Sequence, residues 1–134
     1  MAERLEHVTL TVPTTGSAGS ASGTAVSPVF TNGCDVLRVW CDYHASTPAT
    51  ADFSLYETAL GATLGAIDAK ANSATDAVRY PRLTVLHDLA GAALAANLGI
   101  EPYHVAAGGT ITAALAQGDA LTAAVVVKVV VKRW

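Results

Sequence analysis

The stretch that decides the fold closes the chain, where residues 121–133 are LTAAVVVKVVVKR. Successive side chains of a β-strand point to opposite faces. One face of such a strand would carry only Leu, Ala and Val, which belong in a core. The other would alternate aliphatic residues with Lys128 and Lys132. We therefore predict one long strand with one face in the core and with Val126 and Val130 on a second, partly covered face.

A second strand with the same period lies upstream at residues 35–44, DVLRVWCDYH. Residues 45–51 then form a loop that leads to a third strand at 53–58, and we expect these two strands to form an antiparallel hairpin. The alternation places the odd positions of the upstream strand on the apolar face, namely Leu37, Val39, Cys41 and Tyr43, and the even positions Arg38, Trp40 and Asp42 on the other.

The remaining segments also favour strands joined by turns. β-Branched or alternating patterns predict strands at 8–12, 24–31, 82–86, 103–105 and 110–115, and Asn32-Gly33 predicts a turn. Residues 14–24 are rich in Gly, Ser and Thr and predict a flexible loop, and residues 59–77 predict a long excursion with at most short strands. Residues 88–99 fit either a short helix or an irregular crossing between sheets.

These elements define the expected architecture. We predict one all-β domain over residues 1–134, an antiparallel β-sandwich or jelly roll of about seven or eight strands with at most one short helix.

The composition points to a surface that is covered by neighbours. Charged residues make up 14% of the 134 residues, whereas about 25% is typical of soluble domains, and hydrophobic residues make up 51%. Ala, Ser, Thr and Gly must then cover much of the surface, which favours burial against another protein. An Ala-rich composition inherited from a GC-rich genome is the alternative explanation.

Several classes of partner are disfavoured. The net charge is −3 and no basic patch is present, so we predict no nucleic-acid partner. The apolar run at 125–131 is interrupted by Lys128 and is too short to span a bilayer, so we predict no membrane span. Cys34 and Cys41 on one strand would lie roughly 20 Å apart, too far for a disulfide, and we expect both to be reduced and packed.

The sequence offers no constellation for catalysis or metal binding. Of the four histidines, only His44 shares a strand face with a nearby acid, Asp42, and two ligands do not make a zinc site. His87 has an adjacent acid whose side chain would point away, and no GxSxG nucleophile motif is present. We predict no catalytic residue, no metal and no cofactor, and a small hydrolase or metal enzyme is the third and least favoured hypothesis.

Exposed aromatic and aliphatic residues are the candidates for a binding surface. Trp40 and Arg38 share the strand face opposite the core, and an exposed tryptophan is characteristic of protein interfaces or of sugar stacking. The alternative is that a loop of the same chain covers this face. Trp134 at the end of the chain is a candidate anchor to a neighbouring subunit. The predicted interface residues are Arg38, Trp40, Val126, Val130 and Trp134.

The C-terminal part of the chain carries a resemblance to a known class of protein. Pro102 to His104, the stretch AGGTITAAL, the QGD turn and the Val-rich last strand resemble small jelly-roll virion proteins of tailed double-stranded DNA bacteriophages, over residues 80–134. The resemblance implies a decoration, cement or minor head protein made in the cytoplasm of a bacterial host. Its expected partners are other copies of itself, in a trimer or another closed ring, and the major capsid protein on the virion surface. It carries over no catalytic or ligand residues.

The alternative hypothesis is a carbohydrate- or receptor-binding module on the same sandwich. Trp40, with Tyr43 or Tyr56, would then supply the stacking groups.

Overall fold

The computed structural model describes residues 3–83, 90 and 101–134, and within these ranges the chain forms ten strands and no helix. This confirms the predicted all-β class. The strands are β1 Arg4–Val12, β2 Ala21–Val26, β3 Cys34–Tyr43, β4 Asp52–Ala59, β5 Ala62–Lys70, β6 Ala77–Arg79, β7 Arg82–Leu83, β8 Glu101–Val105, β9 Thr110–Gly118 and β10 Val125–Arg133.

The strands form two antiparallel sheets with the topology of a jelly roll. The six-stranded sheet has the order β1-β10-β3-β8-β7, with β6 also paired to β3, and the four-stranded sheet has the order β2-β9-β4-β5. The partners are nested along the chain, because β1 pairs β10, β2 pairs β9, β3 pairs β8 and β4 pairs β5. This nesting is that of an eight-stranded jelly roll. The two strands beyond the predicted seven or eight are the short strands β6 and β7.

The core lies between the two sheets, and β10 is central to it. Val125, Val127, Val129 and Val131 are fully buried on one face of β10, as predicted. They are joined by Val8, Leu10 and Val12 of β1 and by Phe53, Leu55, Ile111, Ala113 and Leu115 of the facing sheet. Cys34 and Cys41 are buried and free of any disulfide.

The last strand is shorter than predicted. β10 begins at Val125, and not at Leu121, because β9 and β10 belong to different sheets and residues 119–124 must cross between them. The backbone of Ala124 completes the crossing by donating its N–H to the Val12 carbonyl oxygen at 2.9 Å.

A β-bulge in β3 changes which residue enters the core. Val131 of β10 lies opposite Val36, but Val130 lies opposite Arg38, so Leu37 is the extra residue. Val36 is therefore fully buried, whereas Leu37, predicted on the core face, is partly exposed. Val39, Cys41 and Tyr43 are buried as expected.

The predicted hairpin between the strand at 35–44 and the strand at 53–58 is wrong. β3 belongs to the six-stranded sheet and β4 to the four-stranded sheet, so residues 44–51 cross between sheets. The buried Thr47 hydroxyl fixes this crossing by donating to the Ala124 carbonyl oxygen at 2.7 Å.

The long excursion predicted for residues 59–77 is also wrong, because β5 occupies its centre as an edge strand paired to β4. Most residues of β5 are exposed, so this strand does not show the apolar alternation by which a half-buried strand is recognised in a sequence. The connecting turn places Leu60 (φ 54°) and Gly61 (φ 75°) in the left-handed region.

The Gly/Ser/Thr-rich segment at 14–24 contains the start of a strand. β2 begins at Ala21 and ends at Val26, earlier than the strand predicted at 24–31. A side chain at Gly23 would overlap the Pro13 carbonyl oxygen, so only glycine fits there. β7 covers the first two residues of the strand predicted at 82–86, and residues 84–86 and nearly all of 88–99 lie outside the described residues.

Candidate functional site

The face of the six-stranded sheet that points away from the core carries most of the predicted interface residues. We call it the outer face; its side chains include those of β1, β10, β3, β6 and β8. Trp40 on this face is 38% exposed, and Val78 beside it is also exposed. No described element packs across this face, in contrast to the core face on the other side of the same strands.

Two cross-strand rows build a depression on the outer face. In the first row, Trp40 of β3 lies between Lys128 of β10 and Val78 of β6. In the second row, Val130 of β10 lies between Arg38 of β3 and His7 of β1. These six residues line a concavity of about 490 Å³, which we call the outer-face concavity.

The concavity combines apolar walls with positive charge. The Lys128 Nζ atom lies 4.4 Å from the centroid of the Trp40 ring, a cation–π contact. Elsewhere Arg4, Arg79, Lys132 and Arg133 each form an ion pair with an acidic residue. Within residues 3–83 and 101–134, Arg38 and Lys128 form none, so their charges remain available to a partner.

The predicted interface residues divide into three groups. Arg38, Trp40 and Val130 meet in the outer-face concavity. Val126 lies on the same face but one row away, opposite Asp42. Trp134 lies beyond the far end of β10, where the Lys132 Nζ atom is 5.0 Å from its ring centroid.

Sequence reasoning missed His7, Val78 and Lys128 as members of the concavity. The sequence carried a signal for two of them. Lys128 alternates with Val126 and Val130, which places it on their strand face, and His7 alternates with Thr9 and Thr11 on the polar face of β1. Val78 belongs to a strand of only three residues, and no local pattern marked it.

The two tyrosines proposed as stacking partners of Trp40 are elsewhere. Tyr43 lies in the core, where its hydroxyl has no hydrogen-bond partner among the described residues, and burial raises its pKa to about 12. Tyr56 lies on β4 and points to the outside of the four-stranded sheet. A sugar platform that combines Trp40 with either tyrosine is therefore wrong.

A histidine between two carboxylates lies on β8, beside the first residues of β3 and next to the row of Lys132. The His104 Nδ1 atom is 2.5 Å from Asp35 Oδ1, and its Nε2 atom is 3.3 Å from Glu101 Oε2. The hydrogen bond to Asp35 raises the pKa of His104 despite the opposing effect of burial. Because both ring nitrogens contact carboxylates, neither is free to activate a nucleophile.

Within the described part of the chain, the two cysteines are unreactive and no metal-binding group is assembled. Burial raises the pKa of the Cys34 thiol to about 12 and that of Cys41 to about 11, so neither is a thiolate near neutral pH. Among the described residues, no three His, Cys, Asp or Glu side chains are grouped to hold a metal. In the same part of the chain no helix has the length and apolarity to cross a membrane.

Comparison with solved structures gives weak similarity. No family model and no curated protein matches the chain. It is similar to the K3 cleaved adhesin domain of Lys-gingipain from Porphyromonas gingivalis w83, with a TM-score of 0.34 and 14% sequence identity over 84% of this chain. The chain spans 64% of the length of that domain. At this identity and TM-score, the similarity does not bear on what this chain binds.

Proposed function

We propose that the chain is a non-catalytic docking protein that binds other proteins through its outer face. The observation that carries this proposal is the exposure of Trp40 in a concavity that it shares with Val78 and Val130. The same concavity contains Arg38 and Lys128, which form no ion pair within the described residues. A tryptophan flanked by arginine and aliphatic groups has the chemistry of an interface hot spot. The low content of charged residues, 14%, fits a surface that is covered in its working state.

The setting we propose is the shell of a tailed bacteriophage, where the protein decorates, cements or completes the head. Copies of the chain would associate in a trimer or another closed ring and contact the major capsid protein. The resemblance of residues 80–134 to phage virion proteins supports this setting. The jelly-roll topology agrees with it, since viral capsid domains use this fold, although a fold alone does not select a function.

The test is the solution mass of the purified chain over a wide concentration range, by sedimentation equilibrium. We expect a concentration-dependent oligomer in the wild type and at least about tenfold weaker association in Trp40→Ser, because hot-spot truncations cost roughly 2 kcal/mol or more. Tyr56→Ser is the matched control, since it removes an aromatic ring from the outside of the other sheet. A monomer at all concentrations, or equal weakening by both variants, would contradict self-association through the outer face.

A carbohydrate-binding module is the second candidate, because jelly rolls also serve as lectins and Trp40 is exposed. Lys128 already lies over the Trp40 ring, which reduces the area left for a sugar to stack on. A monomeric chain that a polysaccharide column retains, with retention lost in Trp40→Ser, would favour this second candidate.

A further inference from the structure

We propose that the outer-face concavity receives a carboxylate side chain, so that the protein partner presents an acidic segment to this face. This inference rests on the proposed docking role of the outer face and adds the chemistry of what docks there.

The positions of the cations suit a single carboxylate. Lys128 lies opposite Trp40 and Arg38 lies opposite Val130, so the two cations are diagonal neighbours on adjacent strands. Diagonal neighbours are roughly 7–8 Å apart at their α-carbons, which long side chains span readily. A carboxylate above Val130 would accept hydrogen bonds from both cations, and charge-assisted bonds are the stronger kind.

The acids of the chain leave this position open. Within the described residues, none of the six that line the concavity is an acid. Two acids of β3 lie on the same face, each one row outside the concavity: Asp42 is opposite Val126, and Asp35 is opposite Lys132, where its carboxylate already contacts His104.

Of the eight Lys and Arg side chains, four form ion pairs within residues 3–83 and 101–134, and Arg38 and Lys128 are among the four that form none there. The net charge of the whole chain is −3, so the positive charge of the outer-face concavity is local. An acidic group would therefore be attracted to this part of the surface and not to the surface as a whole.

The lining favours an acidic protein segment over a sugar. Sugar hydroxyls require acceptors as well as donors, and the lining side chains include no carboxylate and no amide, so a ring nitrogen of His7 is the one side-chain acceptor among the six. Val78 and Val130 instead provide aliphatic contacts for the methylene groups of a glutamate and for an apolar neighbour.

The test uses the full chain and two labelled peptides of alternating residues, one of Glu and Val and the other of Gln and Val, in fluorescence anisotropy titrations. We expect the wild type to bind the Glu peptide about tenfold more tightly than the Gln peptide, and added salt to reduce the difference. Lys128→Gln should lose most of the preference. The matched control is Lys70→Gln, which makes the same change of charge on an exposed lysine of the other sheet. Thermal unfolding of each variant verifies that it is folded.

Equal binding of the two peptides, or equal losses in the Lys70 and Lys128 variants, would overturn the proposal. So would tighter binding of an acidic oligosaccharide, such as a hyaluronan fragment, than of the Glu peptide, since the ligand would then be a glycan. The docking role is tested separately: if Trp40→Ser weakens association but the two peptides bind alike, the docking role stands and the carboxylate inference fails.

Discussion

Glu57 is a buried carboxylate that joins the two sheets. It lies on β4 of the four-stranded sheet and is 4% exposed. Its Oε1 atom accepts a hydrogen bond from the Tyr103 hydroxyl of β8 at 2.9 Å, and its Oε2 atom accepts one from the Ala106 N–H at 2.6 Å. Burial and the bond to Glu57 both raise the pKa of Tyr103. Two charge-assisted bonds offset the cost of burying this charge.

We expect Glu57→Gln to lower the free energy of unfolding by about 2 kcal/mol, because an amide cannot accept at both positions and one buried donor loses its acceptor. Tyr103→Phe, which removes only one of the two bonds, should cost about 1 kcal/mol. Urea denaturation measures both changes. An unchanged midpoint in Glu57→Gln would show that the carboxylate does not hold the sheets together.

His104 gives the fold a dependence on pH. Its pKa in the folded state is raised, first by the hydrogen bond to Asp35, above the ordinary value of about 6.5. The stabilisation from protonated His104 is therefore fully present below about pH 6.5 and is lost as the pH rises through the folded-state pKa.

Denaturation of the wild type and of His104→Gln at a series of pH values checks this. The difference in unfolding free energy between the two proteins should shrink as the pH rises above about 6.5. A difference that is constant with pH, or that grows towards alkaline pH, would contradict the assigned ion pair.

Residue-level roles of this kind were only partly predictable. The alternation of β3 placed Arg38 and Trp40 opposite the core, and the structure agrees. Tyr103 is 46 residues from Glu57 in the sequence and Asp35 is 69 residues from His104, and no local pattern reports such pairs.

At the scale of elements, strands that bury one face in the core were predictable from the sequence, whereas the exposed edge strand was not. β1, β9 and β10 each bury a run of alternate side chains on one face, so their apolar alternation is visible in the sequence. β5 is an exposed edge strand, and the bulge at Leu37 depends on how β3 pairs with β10. Such features depend on neighbouring strands and leave no mark in the local sequence.

The β4–β5 turn carries a residue that is poorly suited to it. Leu60 is 98% exposed and has a left-handed backbone conformation, which bulky residues rarely adopt. Asn-Gly is the preferred pair for this kind of hairpin turn. We expect Leu60→Asn to raise the free energy of unfolding by about 0.5–1 kcal/mol, measured by urea denaturation. A lower stability in Leu60→Asn than in the wild type would contradict the assigned turn.

At the scale of the whole molecule, the sequence predicted a sandwich or jelly roll but not its sheet assignment. Counting strands and turns suffices for the class. Which sheet each strand joins depends on contacts between distant segments, and the expectation that β3 and β4 pair failed for that reason. Predicting the concavity would have required the same knowledge of which strands are neighbours, because its six residues come from four strands.

The central claim is that the outer face is covered when the protein performs its function. The chain contains three lysines, and two of them provide a test within one molecule: Lys128 lies in the concavity and Lys70 lies on the other sheet. The measurement is the rate of acetylation of each lysine, by mass spectrometry, in a dilute sample and in a concentrated, associated sample. We predict that association slows acetylation of Lys128 relative to Lys70. Equal rates at the two sites in the associated sample would contradict the claim.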